Sequence, residues 1–368
     1  MVEKSKEKIA DATERVPPED LKSAIRNGLT FGFRRMQTCN AMDYVNFGSA
    51  GLKVSQLALG LGFRGQKSEA EAQRVVEHAI DRGINLIDCA NVYGMMDSRE
   101  NSGSSEIVLG KALKGKRDDV VITSKVRSQI GPGPNDVGLS RYHILREIER
   151  SLKHLETDHL DVYLVHGFDP STPLEETMQA LDDLVHSGKV RYIGCCNFAA
   201  WQVCRALWIS DVKHITPFMC VQNKYNLLNR ELEREMFGLV KEQGLGVMAF
   251  SPLAVGLLSG AYVPGQHPPA GSHWARSETY NLDELFQGAR GEAVNTLIEL
   301  AKEIGKTPAQ LALAWVLSHP EITVAITGGD TIQHLDDNLG ALDIELDETV
   351  REKLDTVSEV FISDPVEI

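Results

Sequence analysis

Long apolar runs are missing from this chain: nowhere in its 368 residues is there a stretch of the roughly 18 apolar residues that a membrane helix needs. A basic excess is missing as well. The 38 Lys and Arg are outnumbered by 52 Asp and Glu, giving a formal net charge of -14. Such a field repels nucleic acid and anionic membrane surfaces, so neither is an expected partner. A local basic pocket for a phosphate-bearing ligand is compatible with that balance. The opening segment MVEKSKEKIADATERV lacks the apolar core of a secretory signal, which makes the cytoplasm the expected compartment. Cysteine is sparse: Cys39, Cys89, Cys195, Cys196, Cys204 and Cys220 form no C-x-x-C pair, so they read as reduced core or near-core thiols. The histidines are scattered without carboxylate or thiol partners at ligand spacing, and no metal is expected. Internal repeats and low-complexity segments are absent.

What is present is an alternation. Residues 1–42 read as a helical extension without a core of its own, an arm that would cap a barrel end or pack on a neighbouring subunit. From Met42, MDYVNFGSAGLKVS reads as two short strands joined by a Gly-containing turn, a hairpin. Residues 43–368 then carry eight short apolar runs: LALG (57–60), NLID (85–88), DVVITSK (119–125), LDVYLVH (160–166), VRYIGCCN (190–197), MCVQ (219–222), GVMAFS (246–251) and ITVAIT (322–327). Each is followed by a helix or a long connection. The amphipathic segment 68–83 closes on Gly83, and SRYHILREIERSLKHLE has Ser140 as its N-cap.

Short β-branched runs that alternate with helices signal a parallel sheet covered on both faces. Eight of them fit an α/β fold, the closed (β/α)8 TIM barrel, whose chemistry sits at the C-terminal ends of the strands. The competing architecture is a doubly wound open sheet. It would carry a Gly-rich phosphate loop after its first strand, where LALGLGFRGQ offers only G-x-G. The stretch 252–291, containing PGQHPPAGSHW, reads as a long loop of the lid or binding kind.

With strands placed this way, Asp88 ends the second barrel strand, Lys125 the third and His166 the fourth. Tyr93 lies in the loop just past Asp88. Each alone has an ordinary explanation: a cap, a solvated strand end, a core histidine, a half-buried wall. In barrel order they bring a carboxylate, an ammonium, a phenol and an imidazole to one mouth. Other residues read as ordinary. Trp201 and Trp208, seven apart on one helix, are expected to be packing residues, and His154 and His159 solvated ones. Trp274, in the long loop, is the candidate for a substrate wall.

Seven ordered motifs carry a resemblance: GINLIDCANVYG, SGSSEIVLGKAL, VVITSK, HLDVYLVHGFDPSTPLEETMQALDDLVHSGKVRYIGCCNF, VQNKYNLLNR, FSPLAVGLLSG and GKTPAQLALAWVL. Over about residues 43–357 the chain resembles the aldo-keto reductase superfamily. The resemblance implies a barrel that binds NADP(H) or NAD(H) in extended form, with Asp88, Tyr93, Lys125 and His166 as the catalytic four. It also implies that the chain reduces an aldehyde, ketone or sugar-like carbonyl to the alcohol. Hydride would come from the nicotinamide and the proton from Tyr93. A free tyrosine, with a pKa of about 10, is a poor acid at neutral pH. A nearby ammonium favours the phenolate, so Lys125 is expected to lower that pKa, Asp88 to hold Lys125, and His166 to orient the carbonyl oxygen.

By the same resemblance, Asn197 and Gln222 would meet the nicotinamide carboxamide, and Phe250 would stack on the ring. Ser251 and Leu253 would line the pyrophosphate path, and Gly328, Gly329 and Asn338 would hold the adenosine end. Three positions depart from the family pattern. Cys196 stands where serine is usual, which removes one carboxamide hydrogen bond. Ala261 stands where many relatives have lysine, and His334 where arginine or glutamine is usual. The clamp on a 2′-phosphate is thereby thinned, with Arg276 or His273 as substitutes and Asp330 opposing. NADP(H) is the first expectation and NAD(H) the second. The insert MMDSREN (95–101) enlarges the loop over the site, and specificity is expected in loops 61–67, 95–103, 127–138 and 254–290.

Two other classes compete. One is a regulatory or interaction subunit that keeps the cofactor but turns over little, as channel-associated members of the superfamily do. The other is a Lys125 Schiff-base aldolase, disfavoured because Asp88 would keep that lysine charged. A homo-oligomer is left open.

Overall fold

The computed structural model describes residues 42–66, 68–263, 265–269, 272–275 and 282–366. The expected helical extension, apart from Met42, lies outside the described residues, as does Arg276. The described part opens with an antiparallel hairpin, β1 (Tyr44–Asn46) and β2 (Lys53–Ser55). Its turn lies against the start of a barrel strand. A β-carbon on Gly48, whose φ is +60°, would fall 2.4 Å from the Gly246 nitrogen, and one on Gly246 would fall 2.4 Å from the Phe47 ring. Both positions therefore require glycine. Phe47 is fully buried there.

Eight parallel strands close a barrel in which each neighbours the next in the chain and the last returns to the first. They are β3 (Leu57–Gly60), β4 (Leu86–Asp88), β5 (Val121–Val126), β6 (Leu160–Val165), β7 (Val190–Cys196), β8 (Cys220–Lys224), β9 (Gly246–Phe250) and β10 (Val324–Gly328). The pleat sorts their side chains into two cores. In β6, Val162 and Leu164 point into the barrel, while Tyr163 and Val165 meet the helices outside. The adjacent Cys195 and Cys196 divide in the same way, outward and inward. All described cysteines are free thiols, and only Cys204 among them is exposed.

The helices α1 (Glu69–Asp81), α2 (Ser104–Ala112), α3 (Arg141–Leu155), α4 (Leu174–His186), α5 (Ala200–Lys213) and α6 (Met236–Gln243) follow β3 to β8 in turn. In α1 the buried stripe Ala72, Val75, Val76 and Ala79 has the spacing of one helix face. Ser140 caps α3 by accepting a hydrogen bond from the His143 N–H. Between β9 and β10 the connection holds a short α7 (Leu282–Leu285), then α8 (Ala289–Glu303) and α9 (Pro308–Leu317), the last begun by a Thr307–Gln310 capping box with Pro308 at its first turn. After β10 come α10 (Ile332–Leu339) and α11 (Glu348–Ser358).

Three expectations are corrected. Trp201 and Trp208 are 57% and 61% exposed, because the inward stripe of α5 is Val203, Ala206 and Ile209 and the tryptophans take the opposite face. His154 is not a solvated residue: its Nδ1 lies 3.0 Å from the fully buried Glu106 carboxylate. His159 is likewise mostly covered, 2.7 Å from Asp158. Trp274 is buried, its indole N–H donating to the Val255 carbonyl, so it packs beneath its loop instead of walling a site.

Candidate active site

The C-terminal strand ends gather the four predicted catalytic residues. Asp88 is the last residue of β4, Lys125 the second-last of β5, and His166 follows β6 directly. Tyr93 stands in the turn after Asp88, where the chain doubles back sharply: a β-carbon on Gly94 would fall 2.1 Å from the Ser98 carbonyl oxygen. Lys125 is fully buried and donates to Asp88 Oδ2 at 2.6 Å and to the Cys89 carbonyl at 2.9 Å. Its ammonium lies 4.6 Å from the Tyr93 ring centroid. The Tyr93 hydroxyl is 3.3 Å from His166 Nε2.

Two side chains outside that quartet fix Asp88. Thr123 donates to Oδ1 at 2.5 Å, and the Gln222 amide donates to the same oxygen at 2.9 Å from β8 across the barrel interior. Thr123 was legible in principle, since it lies two residues before Lys125 on one strand and shares its face. The Gln222 link was not, because its register depends on barrel closure. Gln222 Oε1 accepts no hydrogen bond from the described residues. Asn197, with a φ of +54°, donates from its side chain to the His166 carbonyl at 3.0 Å.

Electrostatics correct one expectation. Removal from water raises the Tyr93 phenol to about 12; the Lys125 ammonium pulls downward but is outweighed. Burial also opposes charge on Lys125, yet Asp88 and Tyr93 hold it above the ordinary lysine range. Burial and then the charges of Lys125, Arg99 and Arg127 depress His166 to about 3. The resting site is thus a neutral phenol and a neutral imidazole beside a charged lysine–carboxylate pair.

The residues predicted to hold a cofactor fall along the same rim. Cys196 ends β7, buried, and its thiol makes no hydrogen bond among the described residues. Phe250 ends β9, half-buried. Next comes a backbone of unusual shape: Ser251, Ala254 and Val255 have φ of +52°, +46° and +54°. For a β-branched residue such as Val255 this is a strained conformation, of the kind that collects at ligand sites. Leu253 sits within that turn, half-buried. At the end of β10 a β-carbon on Gly328 would meet nothing within 4 Å, so the rim is open there, and Gly329 follows. Asn338 is buried and committed to the strand end, donating to Thr327 Oγ1 at 2.6 Å and to the Gly328 carbonyl. His334 is exposed on the first turn of α10. Asp330 accepts from the Gly65 N–H at 3.1 Å and so joins loop 61–66 to this end. Open amide oxygens at β7 and β8, a strained turn after β9 and a clear rim at β10 suit an extended polar ligand.

Comparison with known proteins accords with this geometry. Residues 47–359 match the model of the aldo/keto reductase family. The chain belongs to that family. Its members are generally NAD(P)H-dependent carbonyl reductases. The chain is 38% identical to the uncharacterized oxidoreductase YrpG of Bacillus subtilis, with 86% of this chain and 96% of that protein aligned. It is 35% identical to a probable voltage-gated potassium channel subunit beta of Arabidopsis thaliana, over 82% of this chain and 92% of that one. It is 33% identical to protein tas of Escherichia coli, over 87% and 99%. Among the described residues no helix is long and apolar enough to cross a membrane. No group of three or more His, Cys, Asp and Glu among them could hold a metal ion.

Proposed function

We propose that the chain reduces a small aldehyde, ketone or sugar-like carbonyl to its alcohol, with Asp88, Tyr93, Lys125 and His166 as the catalytic residues. The observation that carries this reading is the buried Asp88–Lys125 pair under the Tyr93 ring, with the hydroxyl aimed at a neutral imidazole. A reduced nicotinamide, when bound, supplies the hydride. Tyr93 gives its proton to the carbonyl oxygen as charge develops there, and Lys125 stabilises the phenolate left behind. Asp88, held by Thr123 and Gln222, keeps that ammonium charged and in place. His166, uncharged, offers a hydrogen bond to the oxygen without competing as an acid. Gln222 Oε1 and the Asn197 side-chain oxygen are the acceptors placed for a carboxamide N–H, and Phe250 offers a ring for stacking. Ser251 and Leu253 would border the diphosphate, with Gly328, Gly329, His334 and Asn338 toward the adenosine end. NADP(H) is favoured and NAD(H) second; because Ala261 and His334 leave few cations for a 2′-phosphate, the margin between them is small.

A second reading, a cofactor-binding subunit of a larger assembly, draws support from the similarity to the Arabidopsis protein of that printed name. The complete catalytic quartet favours turnover over it. On this reading the whole site lies in residues 43–368, residues 1–42 are an extension, and the protein is cytoplasmic. The test is a carbonyl panel with NADPH and NADH carrying deuterium on the nicotinamide. Deuterium in the product alcohol supports reduction; tight cofactor binding with no labelled alcohol from any substrate supports the subunit reading.

A further inference from the structure

A cavity of about 830 Å³ opens beside the catalytic mouth, between the segment after Tyr93 and the loops after β5 and β6. Its lining is mostly hydroxyls, amides and backbone, with two arginines, Arg99 and Arg127. Arg127 follows the end of β5, two residues beyond the lysine, with a backbone φ of +139° that ends the strand's alternation. Its side chain lies over the backbone just past His166: Nε donates to the Phe168 carbonyl at 3.1 Å, and a β-carbon on Gly167 would fall 3.6 Å from Nε. The rest of that guanidinium forms no hydrogen bond or ion pair among the described residues, and neither does the guanidinium of Arg99. Arg99 sits on the short turn Arg99–Asn101, in the segment between Tyr93 and α2.

In a chain with a net charge of -14, two cations without carboxylate partners beside an active site call for an explanation. Asp169 is the one carboxylate lining the cavity, and it is occupied elsewhere. It accepts from Leu139 N, Ser171 N, Ser171 Oγ and Thr172 Oγ1, all within 2.9 Å. Partial burial opposes its charge, but those hydrogen bonds hold it down to about 2. The cavity therefore keeps a net positive charge.

We infer that Arg99 and Arg127 form a subsite for an anionic group, carboxylate or phosphate, on the carbonyl substrate. The inference rests on the reductase reading above and names its substrate class. A guanidinium matches either anion with two parallel N–H donors, and a remote anchor of this kind adds binding that the ground state and the transition state share. A charge-assisted contact is worth roughly 10- to 100-fold in binding.

The test compares kcat/KM for matched pairs: para-carboxybenzaldehyde against its methyl ester, and glycolaldehyde phosphate against glycolaldehyde. Wild type, Arg99→Gln, Arg127→Gln and Arg127→Lys are measured, together with calorimetric binding of terephthalate and of inorganic phosphate. The expected result is a wild-type preference of about 10-fold or more for one charged partner, expressed mainly in KM. That ratio should collapse toward one in both Gln variants and be partly restored in Arg127→Lys. The pair that shows the preference identifies the anion. A wild-type ratio near one, or a ratio unchanged in both Gln variants, overturns the inference while reduction of the neutral aldehydes leaves the reductase reading intact. If nothing is reduced but an anion binds wild type and not the Gln variants, the reductase reading fails and the anion subsite stands. If nothing is reduced and no anion binds, both fail.

Discussion

At the scale of single residues the site works through opposed pressures on charge. Burial makes ionisation of Tyr93 difficult, so the phenol keeps its proton at neutral pH and can give it only to a stronger base, such as a nascent alkoxide. On the proposed mechanism, reduction needs Tyr93 protonated and His166 uncharged. With those groups at about 12 and about 3, kcat for carbonyl reduction should show no inflection near the ordinary histidine pKa of about 6.5 and should fall only in strong alkali. A bell centred near neutrality would contradict the assignment. His166 also bears on stability. Its folded pKa lies below its unfolded one, so the unfolded chain binds the proton first. Stability from this source is complete above about 6.5 and is lost as pH falls toward about 3. Urea midpoints should therefore drop more on acidification in wild type than in His166→Gln.

At the scale of elements, packing separates residues of one type. Trp315 is fully buried in α9, stacked on Tyr225 at 5.5 Å, with its indole N–H donating to Asp355 at 2.8 Å. Trp315→Ala should cost about 3–5 kcal/mol in denaturant unfolding, whereas Trp208→Ser on exposed α5 should stay within about 0.5 kcal/mol. Equal losses would mean that α5 is packed against something in solution. These elements also mark where the sequence was readable. The eight strands and the helices after β3 to β8 announce themselves through apolar runs, caps and turn glycines. α8, α9 and α11 were not identified from pattern, and most of α9 is buried, so its near-continuous apolar run has no polar face to betray a helical period. Trp201 and Trp208 share a face by spacing, but spacing alone does not say which face meets the barrel.

Across the whole molecule, closure of the sheet explains why the site was only partly legible. Asp88, Lys125 and His166 could be placed because parallel strands share a C-terminal end. The Gln222–Asp88 contact joins residues 134 apart, and the Arg127 side chain settles over a loop from the next strand. Such contacts follow from barrel register and loop paths, which local pattern does not encode. The hairpin, held through Phe47, Gly48 and Gly246, makes residues 42–366 a complete barrel with its own core. A chain trimmed to residues 42–368 should accordingly keep its thermal midpoint within a few degrees and retain cofactor binding. Loss of cofactor binding would assign the N-terminal segment a part in the site, and a lower midpoint a part in stability.

The most direct test of the central claim, that Tyr93 delivers the proton while the cofactor site stands apart from it, is single-turnover oxidation of bound NADPH by an aldehyde in wild type and Tyr93→Phe. Both proteins should quench NADPH fluorescence with the same affinity, and the variant should lose roughly 10²–10⁴-fold in the rate of the chemical step. An unchanged rate in Tyr93→Phe would remove the tyrosine from the chemistry and contradict the account.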